Sequence, residues 1–304
     1  MPPLPLSASR PASARGEFSD WTTQLWVKVT GRRFPLDQVP WLAGPVSNPA
    51  GIGSGYFDEL AGAEGWTVRR GGPACGLLPD FGALAGPTFP AARVHRAVTD
   101  FYERTSAYDL EAWSEWCGLF RPFGALLAIM FSRRLQQLNV PLSPLDTSLG
   151  TTSEVLQLVD PDTGAVRLTA WVRHLRRTGH VLYAGSYSVC RVPGYPEPCV
   201  KVVFPLPNGN AIVLMRPEVD DQGALTVTSA GRRFGDPGFY FTVSAGSGDI
   251  WARYVRSLRE SIRVYPDVDA GVRADHVLSL WGATFLRLHY RLRQRPEEAR
   301  GAGR

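Results

Sequence analysis

Lysine is almost absent from this basic sequence of 304 residues, which has a formal net charge of +5. Lys28 and Lys201 are the two lysines, and the other 31 of the 33 basic residues are arginine. The arginines are scattered beside apolar residues, with their densest run at 287–304. Proteins that bind nucleic acid normally gather positive charge on one face with stacking aromatic side chains. The distribution therefore argues against a nucleic-acid partner, and it is typical of a GC-rich genome.

Long apolar runs are missing as well. The longest, 123–131, has nine residues, whereas about 18 to 20 are needed to span a bilayer. The first residues, MPPLPLSASRPASARG, have prolines where a secretory signal has its apolar core, so we expect no export signal. Together these absences predict a cytoplasmic protein without a transmembrane segment.

Paired cysteine motifs are also lacking. Cys75, Cys117, Cys190 and Cys199 form no CxxC pair, and cysteines of cytoplasmic proteins are normally reduced thiols. Cys190 and Cys199 flank a predicted turn and could face each other across two strands. We interpret this pair as a chance placement in adjacent strands rather than as a disulfide.

The common motifs for metals, nucleotides and nucleophilic catalysis are absent. His174 and His180 could share a metal across a bend, but no third ligand accompanies them. The GIGSG run at 51–55 is neither a GxSxG nucleophile turn nor a GxGxxG dinucleotide loop, and no GxxxxGK[ST] occurs. We therefore expect no metal and no cofactor.

The first part of the chain reads as helix and irregular structure. Residues 1–16 are a predicted flexible leader, and 17–150 a predicted helical and irregular region. One helix is expected to begin near Tyr56, and the periodicity within 91–108 predicts an amphipathic second. A further helical run is expected over 110–138, with a kink at the proline within it.

An aromatic stripe lies inside that last run. Trp113 and Trp116 are three residues apart, and Phe120 and Phe123 follow. On a helix these side chains would share one face, which core packing explains best. The alternative is a partner surface or a peripheral membrane contact through 113–131, which arginines flank.

The second part of the chain predicts an antiparallel meander over 151–295, followed by a flexible tail at 296–304. Turn signals recur every eight to fifteen residues, and Asn208-Gly209 is a strong hairpin signal. Residues 249–265 fit either a helix or a strand, and we favour a long hairpin there. The prediction is an α+β fold with about eight to ten strands, curled into a barrel or cup of lipocalin-like architecture because closure removes exposed edges.

The candidate site residues are polar groups that a barrel interior could present to a ligand. In the last strand, Leu286, Leu288, Tyr290 and Leu292 alternate with basic residues, and the sequence leaves open which face is inward. The candidates taken from both faces and from neighbouring segments are Arg173, His174, Asp236, His276, Arg287, His289, Tyr290 and Arg291.

Three functions are compatible with these features. The favoured one is binding of a small hydrophobic or amphipathic molecule, with arginine and tyrosine holding an acidic head group. The second is an enzyme that uses neither metal nor nucleotide, with Arg173, His174, Asp236, His276 and His289 as its polar groups. The third is a protein-interaction or membrane-interaction module. The sequence leaves catalysis and oligomeric state open.

Six segments of the chain resemble an uncharacterised bacterial family, the soluble region of YndJ-like proteins. They are QVPWLAGPVSNPAGIG, FYERTSAYDLEAWSEW, KVVFPLPNGNAIVLM, RFGDPGFY, RADHVLSLWG and FLRLHYRL. The resemblance covers most of 19–292. The family has no assigned activity or catalytic residues, so the resemblance implies no function.

Overall fold

The computed structural model describes residues 18–47, 55–72, 75–118, 151–175, 181–268 and 271–295. Within them, fourteen strands join one antiparallel sheet, which three α-helices and several short 3-10 turns accompany. The helices are α1 (Phe18–Thr30), α2 (Tyr56–Glu64) and α3 (Arg96–Glu103). The strands are β1 (Arg32–Pro35), β2 (Thr67–Arg70), β3 (Tyr108–Trp116), β4 (Thr151–Val159), β5 (Val166–Leu175), β6 (Val181–Val192), β7 (Tyr195–Leu206), β8 (Gly209–Val219), β9 (Leu225–Thr228), β10 (Phe239–Gly246), β11 (Asp249–Val255), β12 (Leu258–Pro266), β13 (Val272–Leu280) and β14 (Ala283–Gln294).

Most predicted turns and strands of the second part are confirmed, but this part has eleven strands, β4 to β14, rather than eight to ten, and it is not a simple meander. Asn208 lies at the β7–β8 turn with a φ of 59°, a conformation that asparagine tolerates in tight hairpins. Gly164 and Gly223 have positive φ in the β4–β5 and β8–β9 turns, where residues with a Cβ are strained. Short turns of this kind make consecutive strands antiparallel neighbours.

The sheet follows the order β2-β4-β5-β6-β7-β8-β9-β12-β13-β14-β3. It branches at β8, because Gly209–Val213 pair with β10 whereas Arg216–Val219 pair with β9. The branch continues from β10 through β11 to β1. Among the described strands this sheet is not closed, so the α+β, antiparallel prediction is confirmed and the lipocalin-like barrel is not.

The predicted helix over 110–138 is wrong in its first part. Tyr108–Trp116 form strand β3, which pairs with β14 along its whole length. The spacing of Trp113 and Trp116 fits a helix locally, but the edge of β14 supplies backbone partners that override this preference. Trp113 is 54% exposed, and the part of the predicted 113–131 contact surface beyond residue 118 lies outside the described residues.

The ambiguous segment 249–265 is two strands and no helix. Its second half, β12, forms the expected hairpin with β13. Its first half, β11, instead joins the branch between β10 and β1. The separation occurs at the turn between Val255 and Leu258, where the chain passes from the branch to the main path of the sheet.

Strands β6 to β8 are covered on both faces. One face of these strands, which we call the inner face, carries the largest apolar cluster. This cluster includes Phe101 of α3, Trp171 of β5 and Val264 of β12. A second cluster around Tyr240 covers the outer face under the 3-10 turns of 36–42, and α2 covers a third over β4 to β6. Burial on both faces explains why β7 is an almost continuous apolar run rather than an alternating one.

Helix α1 is positioned by polar contacts with two parts of the sheet. Gln24 Nε2 donates to the Pro207 carbonyl oxygen at 3.2 Å, in the β7–β8 turn. Arg253 Nη1 donates to the Thr30 carbonyl oxygen at 2.7 Å and fixes the C-terminal end of the helix to β11. The helix therefore lies over one end of the curved sheet.

Gly76 provides a stability test of the opposite end of the sheet, where α3 packs. A Cβ at this position would collide with the backbone of Tyr102 and Glu103 at the end of α3. We expect Gly76→Ala to lower the free energy of unfolding in urea by about 1–3 kcal/mol. Gly62→Ala is the matched control, because that Cβ meets no atom within 4 Å and alanine is preferred inside α2 by about 0.5–1 kcal/mol. Equal stabilities of the two variants would contradict the close packing of α3.

Candidate functional site

A cavity of about 730 Å³ lies on the inner face of the sheet. It is lined mainly by apolar side chains of β3, of β5 to β14 and of α1 and α3. At the α3 end its walls include the buried Leu77, Phe101 and Tyr102. At the α1 end its walls include the partly exposed Trp116, Leu258 and Phe285. Among the described residues the cavity wall is thus more exposed near α1 than near α3, and we call the α1 end its open end.

Arg173 of β5 places a positive charge inside this apolar space. Its guanidinium carbon lies 3.8 Å from the ring centroid of Trp171, 4.9 Å from that of Tyr183 and 5.5 Å from that of Tyr290. Such stacking stabilises a cation through the negative faces of the rings. The Nε of Arg173 is buried and has no hydrogen-bond partner among the described residues.

Two tyrosines of β6 complete the surroundings of this arginine. Tyr183 is the register partner of Arg173 on the neighbouring strand, and its hydroxyl is hydrogen-bonded to that of Tyr187. Gly185 lies between them, and a Cβ there would come within 2.9 Å of the Tyr183 hydroxyl. The glycine therefore leaves room for the two rings to meet on the inner face.

The phenols of this cluster are held in their neutral form. Burial raises the pKa of Tyr183, Tyr187 and Tyr290 above the ordinary value, although the nearby Arg173 partly opposes this effect. A phenol keeps its proton at neutral pH even at its ordinary pKa of about 10, and burial extends the neutral form of these three to higher pH. A neutral phenol can donate a hydrogen bond to an acceptor on a ligand. We call Arg173, Tyr183, Tyr187 and Tyr290 the arginine–tyrosine cluster.

A histidine–glutamate pair lies in the same cavity. His276 Nε2 is 3.1 Å from Glu260 Oε2, across the adjacent strands β13 and β12. The side chains are 15% and 9% exposed. The His276 ring stacks on that of Tyr290 with centroids 6.4 Å apart, which connects this pair to the arginine–tyrosine cluster.

Three of the eight candidate residues line the cavity, namely Arg173, His276 and Tyr290. The inward face of β14 is thus its leucine and tyrosine face. His174 follows Arg173 but does not line the cavity. Asp236 accepts hydrogen bonds from the backbone N–H groups of Arg232 and Arg233 in the turn before β10, which is a structural role.

The other face of β14 points away from the cavity. Arg287 is exposed there. His289 Nδ1 lies 2.7 Å from Asp275 Oδ1, and Arg291 Nε donates to Asp267 Oδ2 at 3.1 Å. Their alternation with the leucines was read correctly from the sequence, but as ligand-binding candidates these three residues are not placed at the cavity.

Tyr183, Tyr187 and Glu260 were missed by the sequence reasoning. Tyr183 and Tyr187 are four apart in a predicted strand, so they share a face with Gly185, and this spacing was an available signal. No comparable signal existed for Glu260, because its pairing with His276 depends on the register of β12 and β13. No group of three or more metal-ligating side chains occurs among the described residues, and His180 lies outside them.

The comparisons with known proteins give one relative. The chain resembles YndJ of Bacillus subtilis strain 168. It is 29% identical to this "uncharacterized membrane protein YndJ" over 217 residues, which are 71% of the chain and 37% of YndJ. The resemblance predicted from the sequence is confirmed, and the chain matches little more than a third of the length of YndJ. No family model and no solved structure matches.

The helices in the described part of the chain are α1, α2 and α3 and several 3-10 turns. None of its helices is both long and apolar enough to cross a membrane.

The cavity phenols give a prediction for alkaline pH. In the unfolded chain tyrosines ionise near the ordinary pKa of about 10. Because burial raises the pKa of Tyr183, Tyr187 and Tyr290 in the folded state, their contribution to stability is complete below that pH and is lost as the pH rises above it. We expect the phenolate absorbance of the folded protein to rise at a higher pH than that of the protein in guanidinium chloride. Coincident titration curves would contradict the burial of these phenols.

Proposed function

We propose that this protein binds a small amphipathic molecule, with its acidic head at the arginine–tyrosine cluster and its apolar part along the remaining cavity wall. The observation that supports this most directly is the buried, unpartnered Nε of Arg173. A buried polar group without a hydrogen-bond partner is costly, and a ligand acceptor would remove that cost.

Charge supports an acidic head group. Arg173 takes part in no ion pair among the described residues, and the carboxylate of Glu260, which also lines the cavity, is hydrogen-bonded to His276. Guanidinium groups bind carboxylate and phosphate oxygens with two donors at once. The hydroxyls of Tyr183 and Tyr187 are hydrogen-bonded to each other, so one O–H of this pair is left to donate beside the same position.

Size and polarity support an apolar tail. The volume of about 730 Å³ falls within the range of about 300–1,000 Å³ usual for small-molecule sites. Beyond the cluster the wall consists largely of aliphatic and aromatic side chains such as Val202, Met215 and Leu278. Such a wall favours alkyl or ring systems over sugars and nucleotides.

Arg173 can be tested with two probes of equal chain length, dodecanoate and dodecan-1-ol. We expect the protein to prefer dodecanoate, and we expect Arg173→Gln to weaken dodecanoate binding roughly 10-fold to 100-fold while changing dodecanol binding little. Isothermal titration calorimetry measures both affinities.

Arg287→Gln is the matched control for this experiment. It removes the same charge from the exposed outer face of β14, so its affinities should equal those of the unaltered protein. If Arg173→Gln and Arg287→Gln bind dodecanoate equally well, the assignment of the head-group site is wrong.

The His276–Glu260 pair favours a second candidate, an acid–base enzyme acting in the same cavity. A carboxylate that accepts from an imidazole N–H fixes the tautomer, and the other ring nitrogen can then accept a proton. Native mass spectrometry of protein from its own host separates the two candidates. A single retained species whose mass is unchanged on incubation supports binding, and conversion abolished by His276→Gln supports catalysis.

The location of the protein remains a proposal. The free thiols Cys75, Cys117, Cys190 and Cys199 support the cytoplasm. The B. subtilis relative is named a membrane protein, which supports a role beside a membrane. A binding protein for amphipathic molecules is compatible with both, because its ligands partition between water and lipid.

A further inference from the structure

Helix α1 exposes an apolar face to solvent. Leu25 is 42% exposed, Trp26 40% and Val29 73%. Val27, in contrast, is fully buried, and with Thr23 and Gln24 it lines the cavity. A surface helix normally turns its apolar side chains inward. The outward apolar face of α1 therefore indicates a surface that something covers.

A further exposed apolar side chain, outside α1, lies at the same end of the molecule. Trp281, at the tip of the β13–β14 turn, is 81% exposed. Its backbone N–H donates to the Ser257 carbonyl oxygen at 2.7 Å, which ties the β13–β14 turn to the β11–β12 turn. The Trp281 side chain therefore projects into solvent from two turns that this hydrogen bond joins.

Positive charge surrounds these apolar side chains. Arg253, Arg256 and Arg259 line a shallow groove of about 490 Å³ between Trp26 and Trp281. Arg256 and Arg259 are exposed, and neither takes part in an ion pair among the described residues. The side chains that line the groove include no aspartate or glutamate.

Cavity and surface meet at this end. Trp26 and Val255 line both the groove and the cavity. Leu258 and Leu280, beside the two joined turns, also line the cavity. The apolar and cationic surface therefore borders the open end of the cavity. We call this surface the rim. It consists of Leu25, Trp26, Lys28 and Val29 of α1, of Arg253, Arg256 and Arg259, and of Trp281 in the β13–β14 turn.

We propose that the rim docks on the surface of an anionic lipid bilayer, with α1 lying in the headgroup region. Exposed tryptophan and aliphatic side chains beside cations are the features by which helices lie in that region. Each arginine near an anionic surface strengthens binding further.

Charge distinguishes a bilayer from the other possible occupants of the rim. Two copies of the chain meeting at this face would bring Lys28, Arg256 and Arg259 against their own equivalents, which like-charge repulsion opposes. A nucleic acid would neutralise the arginines but would leave Leu25 and Val29 in contact with phosphates and water. An anionic bilayer complements both the charge and the apolar surface.

Docking in this way would place the open end of the cavity against the lipid. An amphipathic molecule could then pass between bilayer and cavity without its apolar part entering water. The docking stands on the rim alone and does not depend on what the cavity holds.

The test is flotation of the full chain with vesicles at low salt. We expect binding to vesicles of phosphatidylcholine and phosphatidylglycerol in equal parts, little binding to phosphatidylcholine alone, and release by added salt. Leu25→Gln/Val29→Gln should weaken binding roughly tenfold, since two exposed apolar side chains are lost. Arg256→Gln/Arg259→Gln should weaken it roughly fivefold or more for each charge.

Two control variants lie at the opposite end of the sheet. Val268→Gln removes a valine that is 93% exposed in the β12–β13 turn. Arg293→Gln removes an exposed arginine near the end of β14. Both should bind anionic vesicles like the unaltered protein. Arg173→Gln should also bind them normally, so that failure of the cavity proposal and failure of the docking proposal give different results.

Three results would overturn the docking proposal. The first is no flotation with anionic vesicles at low salt. The second is equal binding by Leu25→Gln/Val29→Gln and Val268→Gln. The third is a dimer in light scattering that Leu25→Gln/Val29→Gln converts to a monomer, which would assign the rim to a second copy of the chain.

Discussion

The contact between the Arg173 guanidinium and the ring of Tyr290 connects two distant parts of one sheet. Arg173 belongs to β5, near one end of the strand order, and Tyr290 belongs to β14, near the other end. No backbone hydrogen bonds close the sheet between those ends among the described strands. Side-chain contacts across the cavity therefore connect these parts of the sheet, and the Arg173 guanidinium places a charge at the centre of that contact.

The remaining architecture supports this inner face. Strands β6 to β8 are packed on both sides, which makes them the rigid part of the molecule. Helix α3 packs at one end, and α1 lies over the other, where it is fixed by Gln24 and Arg253. The cavity thus has a wall that is packed on both faces and an open end bordered by exposed apolar and basic side chains.

Local patterns predicted much of the fold. Turn residues such as Asn208 and the alternation along β14 identified strands correctly, because short antiparallel connections are specified by a few neighbouring residues. The same reasoning failed at β3, where the tryptophan spacing fits a helix and only the distant β14 decides the outcome. It also gave no sign of α1 or of the branch at β8.

The candidate site was predictable to a smaller extent, for the same reason. Arg173, His276 and Tyr290 were chosen as residue types suited to an acidic ligand, but their meeting depends on strands more than 100 residues apart in the chain. The contact of Tyr183 with Arg173 and that of Glu260 with His276 both depend on strand register, and for Glu260 no local spacing gave a signal either. Arg287, His289 and Arg291 were chosen by type as well. Because side chains alternate between the two faces of β14, these three lie on its outer face.

An open sheet also has a mechanical consequence. A closed barrel can widen only by breaking backbone hydrogen bonds between strands. Here the described strands near β5 and β14 are joined across the cavity by aromatic and cationic side chains, whose contacts are short-ranged and can be exchanged for contacts with a guest molecule. If the cavity binds ligands as proposed, it can therefore change its width to suit ligands of different size while every strand keeps its hydrogen-bonded neighbours.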